Sequence, residues 1–324
     1  MSGYIVAVGT VCADEYYAAD AWPAEGSAIN ARGGKVMAGG MIPNAACVLA
    51  GYGEDVRLLD ILNRSETSRM MLKDLEAQGV DCSHVWFDNA LSDAKCLIFL
   101  TPGDRTIFVV DSGKPCYPLD AERLALLRSA RYVYTSPHNF MKFKDFSGLA
   151  RALRANGVGL TFDVEDAALA EAGRDLLGYA EIVFFNQYGF EGYRAGTSET
   201  ECIDALFEKG VRFAAVTLGA GGCRCYAPDQ SVYVPGVRVN TVDATGAGDT
   251  FNASFLRCLL HGETLADAAR FANAAAAYCV TGMGARHGVR GVEAVRESLR
   301  AFDLDVNDEK GEKKLEGNNA NSLG

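Results

Sequence analysis

A short glycine-rich segment towards the C-terminus carries the residues best suited to chemistry. It reads DATGAGDTF, beginning at Asp243, and a helical pattern follows it directly. The small residues Gly246, Ala247 and Gly248 allow consecutive backbone N–H groups at a helix start to converge on an anion. Asp249 would then lie in the first helical turn, where the helix dipole favours a carboxylate and the side chain can face a ligand.

This combination suits the transfer of a phosphoryl group to an alcohol. Such a transfer needs a base for the hydroxyl proton and preorganised donors for the charge on the transferring group. Asp249 would supply the base, and the amides of residues 246–248 would supply the donors. For the segment taken alone, a glycine-rich turn with Asp249 as a helix cap stays open as the alternative.

A second motif lies far upstream. It reads GGMIPN from Gly39 to Asn44 and precedes another helical pattern. With both motifs in this order, the chain resembles the ribokinase-like, or PfkB, family of carbohydrate and nucleoside kinases, whose C-terminal signature is close to DTxGAGDxF. The correspondence runs from about residue 4 to residue 302, and the chain departs from the signature at Ala244, where threonine is usual.

The resemblance implies an ATP-dependent kinase with Asp249 as the base and with Gly246, Ala247 and Gly248 as the anion hole. It also implies binding of ATP and Mg²⁺. The positions that match the nucleotide site are Asn186, Thr217, Gly219, Gly222 and Asn273. Taken without the resemblance, the glycines at 219–222 suit either close approach of a ligand to the backbone or a plain hairpin turn, and a structural hydrogen bond stays open for Asn273.

One departure concerns Mg²⁺. Asn186 matches the first residue of the family's NxxE segment, but Gly189 stands where the glutamate is usual. The usual arrangement around the metal is therefore in question. Many members also bind a monovalent cation such as K⁺ through backbone carbonyls. The matching positions are Asp243, Thr245, Cys279, Gly282, Gly284 and Gly288.

For the substrate, the resemblance implies a sugar-like molecule held by hydroxyl-binding residues. The matching positions are Asp14, Gly39, Gly40, Asn44, His138 and Asp249. A turn or cap role for Asp14 and a structural role for His138 stay open. The bulky residues at 41–43 replace the KGA of ribokinases, so ribose is not the expected substrate. An anionic substrate stays open as an alternative, because a negative charge could be bound by Arg32, Lys35 and Arg105.

Alternating strand and helix patterns predict an α/β fold, with a mostly parallel central sheet covered on both faces. The resemblance implies the ribokinase-like three-layer α/β/α domain over residues 1–306. Segments 14–37 and 95–110 predict a small β lid, and the tail 307–324 is expected to be disordered. Strands are predicted at 4–8, 56–59, 132–134, 160–162, 182–185 and 213–218. Helices are predicted at 69–78, 121–127, 146–155, 203–209, 246–260, 265–280 and 292–302.

Composition excludes several classes of protein. The net charge of −11 argues against nucleic acid as a partner. Ten cysteines without a CxxC pair or zinc spacing predict reduced, mostly buried thiols, and Cys223 and Cys225 are expected on opposite faces of one strand. No apolar run approaches the roughly 18 residues that span a bilayer, and no secretory leader is evident. We therefore expect a cytoplasmic enzyme without a membrane partner.

The same residues bear on other possible functions. An oxidoreductase would need GxGxxG after an early strand, and a Walker-type enzyme would need GxxxxGK[ST]; neither sequence occurs in the required place. A nucleoside kinase stays open, with Tyr16, Tyr17 and Trp22 as candidates for a purine clamp. So does a catalytically silent binding protein, although the intact GAGD loop argues against it. Lid edges also suggest a homodimer.

Overall fold

The structure is a computed structural model that describes residues 3–102, 104–110, 113–114, 116–165, 169 and 171–302. The predicted disordered tail 307–324 lies outside the described residues. The described part contains fourteen strands. In chain order, they are β1 (Ile5–Val8), β2 (Cys12–Ala18), β3 (Arg32–Gly39), β4 (Val56–Leu59), β5 (Ile61–Leu62), β6 (Trp86–Phe87), β7 (Lys95–Thr101), β8 (Asp104–Val110), β9 (Tyr132–Thr135), β10 (Gly159–Val164), β11 (Ile182–Asn186), β12 (Phe213–Thr217), β13 (Cys223–Ala227) and β14 (Gln230–Val234).

Eleven α-helices connect these strands in the described part of the chain. They are α1 (Met41–Gly51), α2 (Glu66–Ala77), α3 (Ala121–Ser129), α4 (Pro137–Phe140), α5 (Phe146–Ala155), α6 (Glu171–Leu176), α7 (Gln187–Arg194), α8 (Glu199–Glu208), α9 (Ala247–Leu260), α10 (Leu265–Cys279) and α11 (Val292–Phe302). Sequence periodicity placed α5 and α11 at their observed bounds. It placed the start of α8 four residues late, because a capping box between Ser198 and Glu201 starts that helix at a polar turn.

The main sheet has eight strands in the order β14-β13-β12-β11-β10-β9-β1-β4. All neighbours from β4 to β12 are parallel, whereas β13 and β14 add an antiparallel hairpin at one edge. Parallel strands end at the same edge of a sheet, which is where ligands bind in open α/β folds. The loops after β1, β9, β10, β11 and β12 therefore converge there.

The residues of β1 show how the main sheet is covered. Ile5 and Ala7 belong to one apolar cluster, and Val6 and Val8 belong to another, because successive side chains of a strand point to opposite faces. Helices α1, α2, α9, α10 and α11 complete the first cluster, and α3 to α8 complete the second. This is the three-layer α/β/α arrangement with a mostly parallel sheet that the sequence predicted.

A second sheet, called here the small sheet, has the order β3-β2-β7-β8. Its strands come from the two segments predicted to form a β lid. Strands β7 and β8 are antiparallel, and their pairing extends to Thr101 and Asp104; Gly103 between them lies outside the described residues. The division into one domain with a lid stays a prediction.

One expectation about the cysteines was wrong. The sulfur atoms of Cys223 and Cys225 lie on the same face of β13, 4.0 Å apart. Residues two apart on a strand share a face, so the pair packs together inside the core. Eight of the ten cysteines are buried, as predicted. Within the described residues, no helix is long and apolar enough to cross a membrane.

Candidate active site

The start of α9 has the backbone geometry expected of the predicted anion cradle, and residues 246–249 are called the cradle below. Gly246 has φ of 80°, and a Cβ on it would lie 2.1 Å from the carbonyl oxygen of Ala285, so only glycine fits here. The first bond along the helix joins the Thr250 N–H to the Gly246 carbonyl at 2.9 Å. The amides of Gly248 and Asp249 come before that bond, and helix-start amides of this kind bind anions.

Asp249 is buried in the first turn of α9 and meets the upstream motif directly. Asn44 Nδ2 donates a hydrogen bond of 2.9 Å to Asp249 Oδ2, although the two residues are 205 positions apart. Arg286 Nε in turn approaches Asn44 Oδ1 at 3.4 Å and also forms an ion pair with Asp74. This chain of contacts fixes which way the Asn44 amide points, so its nitrogen faces the Asp249 carboxylate. Sequence reasoning missed Arg286, which belongs to no motif.

Other carboxyl groups surround Asp249. Burial raises the pKa of Asp249 well above its usual range, the charges of Glu165 and Asp163 raise it further, and the hydrogen bond from Asn44 opposes them. Glu165 Oε1 lies 3.9 Å from where a Cβ on Gly248 would stand, so its carboxylate borders the anion cradle.

Asp163 lies at the end of β10, behind the cradle. Burial raises its pKa to about 8, and the Glu165 charge adds to the effect. Its Oδ2 accepts hydrogen bonds from Tyr134 Oη at 2.9 Å and Asn252 Nδ2 at 2.8 Å, which lower the pKa. Sequence reasoning missed Asp163 and Glu165. An aspartate directly after the apolar strand predicted at 160–162 was the available signal.

The Asn186 segment explains the missing glutamate. Asn186 Oδ1 caps α7 by accepting the Gly189 N–H at 2.6 Å. A Cβ on Gly189 would lie 2.5 Å from the Val164 carbonyl oxygen, so no larger residue fits against β10. A carboxylate is nevertheless available beside the cradle from Glu165. Mg²⁺ prefers oxygen ligands, chiefly carboxylates and phosphates, so the Glu165 carboxylate together with the phosphates of ATP would fit the ion.

The turn after β12 lies beside this region. Gly222 has φ of 91°, and a Cβ on it would lie 2.0 Å from the Val234 carbonyl oxygen. The Leu218 N–H donates to the Gly222 carbonyl at 2.8 Å, which closes the turn. Thr217 Oγ1 donates to the Phe185 carbonyl at 3.4 Å, and Gly219 has φ of 57° with open space beside it. The turn is therefore tightly held at one end and open at the other.

Asn273 lies on α10, where it is 7% exposed, and its Nδ2 donates to the Pro235 carbonyl at 2.8 Å. This bond holds the segment after β14, which packs on the 219–222 turn. The structure therefore supports the structural alternative for its amide nitrogen. A contact between Asn273 and a nucleotide base stays a prediction.

On the substrate side, Asp14 packs against the glycine pair. A Cβ on Gly39 would lie 2.2 Å from Asp14 Oδ2, and one on Gly40, whose φ is 105°, would lie 2.3 Å from the Thr10 carbonyl oxygen. Burial raises the pKa of Asp14 to about 6. Hydrogen bonds from Cys12 and Cys96 and the positive charge of Arg286 act in the opposite direction and lower the pKa. The absence of side chains on the glycines lets the Asp14 carboxyl group come close to the start of α1.

His138 and its neighbour Asn139 occupy different environments on α4. His138 is exposed, whereas Asn139 is buried and its Oδ1 accepts a hydrogen bond from Thr10 Oγ1 at 3.2 Å. Asn139 also donates to Ser136 Oγ at 2.9 Å. A substrate contact of His138 stays a prediction.

Most of the proposed positions for a monovalent cation are joined by direct contacts. Asp243 accepts from the Thr245 N–H and from the Gly284 N–H, both at 2.9 Å. Cys279 Sγ donates to the Thr245 carbonyl at 3.7 Å, and a Cβ on Gly288 would meet Cys279 Cβ at 3.1 Å. Gly282 packs against the ring of His287 nearby. The 243–245 and 279–288 loops therefore lie together beside the start of α9.

Comparison with known proteins gives a consistent result. A family model described as pfkB family carbohydrate kinase matches residues 2–290. Ribokinase of Haemophilus influenzae is 23% identical over 294 residues, covering 88% of this chain and 94% of that protein. Fructokinase-2 of Oryza sativa subsp. japonica is 29% identical over 283 residues, covering 78% of this chain and 82% of that protein.

Solved structures show the same fold. Arabidopsis thaliana ribokinase, complexed with ribose and ATP, superposes with a TM-score of 0.80 at 23% identity, covering 93% of this chain and 99% of that one. A putative ribokinase II from E. coli, in complex with ATP and Mg²⁺, also gives 0.80, at 18% identity, covering 92% and 99%. The chain belongs to the pfkB family of carbohydrate kinases. It is an ATP-dependent enzyme that transfers a phosphoryl group to a hydroxyl of a sugar or sugar-like molecule.

Proposed function

We propose that Asp249 is the base of this reaction, that the 246–248 amides hold the transferring γ-phosphoryl group, and that Asp14 and Asn44 bind the sugar hydroxyls. The observation that carries the proposal is the 2.9 Å hydrogen bond from Asn44 to Asp249. A hydroxyl bound by Asn44 would lie beside the carboxylate that takes its proton. The same carboxylate lies at the start of the helix whose amides face the phosphoryl group.

The reaction follows from this arrangement. The Asp249 carboxylate accepts the hydroxyl proton while the hydroxyl oxygen forms its bond to the γ-phosphorus, and the bond to ADP breaks. Helix-start amides stabilise the charge on the transferring group without having to reorganise. The raised pKa of Asp249 makes its carboxylate a stronger base than an exposed aspartate.

Glu165 is our candidate for holding Mg²⁺. When bound, the ion would neutralise the charge of the phosphate oxygens. Glu165 lies beside Gly248 and would supply the carboxylate that the glycine at position 189 does not provide. A cation there would also offset the repulsion among Glu165, Asp163 and Asp249. We further propose that K⁺ binds between the 243–245 and 279–288 loops, supported by the contacts that join those loops.

We propose that the substrate is a sugar other than ribose, since Met41, Ile42 and Pro43 change the start of α1. The nucleoside alternative gains no support from the aromatic residues suggested for it. Tyr17 stacks on Phe99 with ring centroids 5.3 Å apart, and Trp22 packs on Phe99 at 5.8 Å. These rings contact one another within the small sheet, as expected of a local apolar cluster.

The small sheet supports two further proposals. Its edge strands are β3 and β8, and large apolar side chains on and beside them are exposed. They include Trp22, Ile29, Val36, Ile107, Phe108 and Val109. We propose a homodimer that covers this surface, and closure of the sheet as a lid over bound substrate. A cytoplasmic location stays a prediction.

The test is ADP production with Mg·ATP and K⁺ across ketoses, pentoses, sugar acids, sugar phosphates and nucleosides. In Asp249→Asn, we expect turnover with the active substrate to fall by about two to four orders of magnitude, because the base is lost. Asp267→Asn is the matched control, since Asp267 is half-exposed and pairs with Arg270. Full turnover in Asp249→Asn would contradict the assignment of the base.

A further inference from the structure

Two thiols and a carboxyl group meet in the small sheet. Cys12 and Asp14 are two residues apart on β2 and share a face, and Cys96 on β7 is the register partner of Asp14. Cys12 Sγ lies 3.5 Å from Cys96 Sγ and 3.5 Å from Asp14 Oδ1. Among the described residues, this is the only group of three His, Cys or acidic side chains whose ligand atoms lie within 4.8 Å of one another.

These separations can be compared with those of a metal site. A tetrahedral ion with metal–sulfur bonds of about 2.3 Å and metal–oxygen bonds of about 2.1 Å holds two sulfurs about 3.8 Å apart and a sulfur and an oxygen about 3.6 Å apart. The observed 3.5 Å separations are close to both values. A disulfide would instead require the two sulfurs to approach to about 2.0 Å.

We propose that Cys12, Asp14 and Cys96 form a binding site for a thiophilic divalent ion such as Zn²⁺. The ion would replace both thiol protons, so each binding event releases two protons to solvent. Cys12 and Asp14 are buried, whereas Cys96 is partly exposed and gives the ion a way in. With three protein ligands, the fourth position stays open to water or to a substrate hydroxyl, as in zinc sites that are not closed by four side chains.

The site has a consequence for the enzyme, and this consequence rests on the proposed function. If Asp14 binds the sugar, an ion that takes its carboxylate competes with the sugar. Zn²⁺ would then raise the apparent KM for sugar and leave kcat at saturating sugar unchanged. Binding of the ion itself does not depend on what Asp14 does in catalysis.

The first experiment titrates the full chain with Co²⁺ under a phosphine reductant, which keeps all thiols reduced. We expect sulfur-to-cobalt charge-transfer absorption that saturates at one equivalent and disappears when Zn²⁺ is added. Cys12→Ser and Cys96→Ser should each weaken binding by more than about 100-fold, beyond the loss caused by removing an outer-shell partner. Cys116→Ser is the matched control, because it removes an exposed thiol elsewhere and should leave the titration unchanged.

Two results would overturn the site: no charge-transfer absorption in the unmodified chain, or the same absorption in Cys96→Ser. The kinase assay with Zn²⁺ is run separately, at excess Mg·ATP. Equal inhibition of the unmodified chain and Cys96→Ser would reject competition through this site. An enzyme with no sugar turnover would contradict the proposed function and leave the Co²⁺ titration to decide the metal site.

Discussion

The anion cradle and the groups that surround it are built in opposite ways. The cradle comes from one continuous segment, residues 243–249, in which the turn, the helix start and the base follow each other along the chain. The surrounding groups come from separate strands and loops that only the folded sheet brings together. Asn44, Asp163, Glu165 and Arg286 are the examples. In the proposed function, the segment supplies the base, and the surrounding groups shift the pKa of that base, Asp249.

The small sheet extends this contrast. Cys12 and Cys96 are 84 positions apart, and their contact depends on the parallel register of β2 and β7. Local features of the cradle should therefore be sensitive to changes in backbone, because one glycine sets the direction of several amides. The surrounding groups should be sensitive to changes in charge. Three predictions test this difference.

The largest effect is expected at the two ends of α9. Gly246 and Gly262 both have positive φ, 80° and 75°, but a Cβ on Gly246 would meet a carbonyl oxygen and one on Gly262 has open space. Gly246→Ala should lower kcat by about 100-fold, because displaced amides lose their hold on the transferring group. It should also destabilise the fold by more than Gly262→Ala, which incurs only the left-handed penalty of about 1–2 kcal/mol.

Steady-state kinetics and urea unfolding of both variants measure this effect. Gly262→Ala serves as the control for backbone strain and should keep its kcat. Similar kcat values for the two variants would show that the clash at Ala285 does not affect the cradle, and would weaken the view that one backbone position controls it.

Much of the molecule could be predicted from its sequence. Strand β4 and helices α5 and α11 begin and end where periodicity placed them, because each is an apolar pattern bounded by polar or glycine residues. The roles of Asn44 and Asp249 were expected only through family resemblance, and the hydrogen bond between them was not predicted. Arg286 and Glu165 could not be predicted, because an isolated charged residue in a loop shows nothing about the neighbours that the fold provides.

The mistaken prediction for Cys223 and Cys225 has a different cause. The alternation of a strand was applied with the wrong period, since residues two apart share a face. The same rule, applied correctly, places Cys12 and Asp14 side by side. It could not have supplied Cys96, because strand register between distant segments is set by the whole sheet rather than by spacing in the sequence.

The second prediction concerns stability at Asp163. Its folded pKa of about 8 lies above the value of about 3.9 of an unfolded aspartate. Between these values, the folded chain keeps a proton that the unfolded chain has lost, so the free energy of unfolding falls as pH rises, by up to about 1.4 kcal/mol per pH unit. Asp163→Asn, which is neutral throughout, should flatten this dependence between pH values of about 5 and 8.

Urea unfolding at pH values of about 5 and 8 measures how steeply the free energy of unfolding changes with pH in each variant. Asp267→Asn is the control. Hydrogen bonding to Thr264 lowers the pKa of Asp267, so this carboxyl group is ionised in both the folded and unfolded chain across the window. An unchanged slope in Asp163→Asn would mean that Asp163 is already ionised in the folded chain.

The smallest effect is expected from Glu165→Gln, which keeps the shape of the side chain and removes its charge. The Glu165 charge raises the pKa of Asp249, so its removal should shift the acidic limb of kcat/KM to lower pH, by roughly 0.5–1 unit at low ionic strength. Glu191→Gln, on the exposed face of α7, should leave the limb in place. If Glu165 also holds Mg²⁺, the variant needs more Mg²⁺ for half-maximal rate. A shifted limb with unchanged Mg²⁺ dependence would assign Glu165 an electrostatic role alone, and an unmoved limb would remove it from the groups that tune the base.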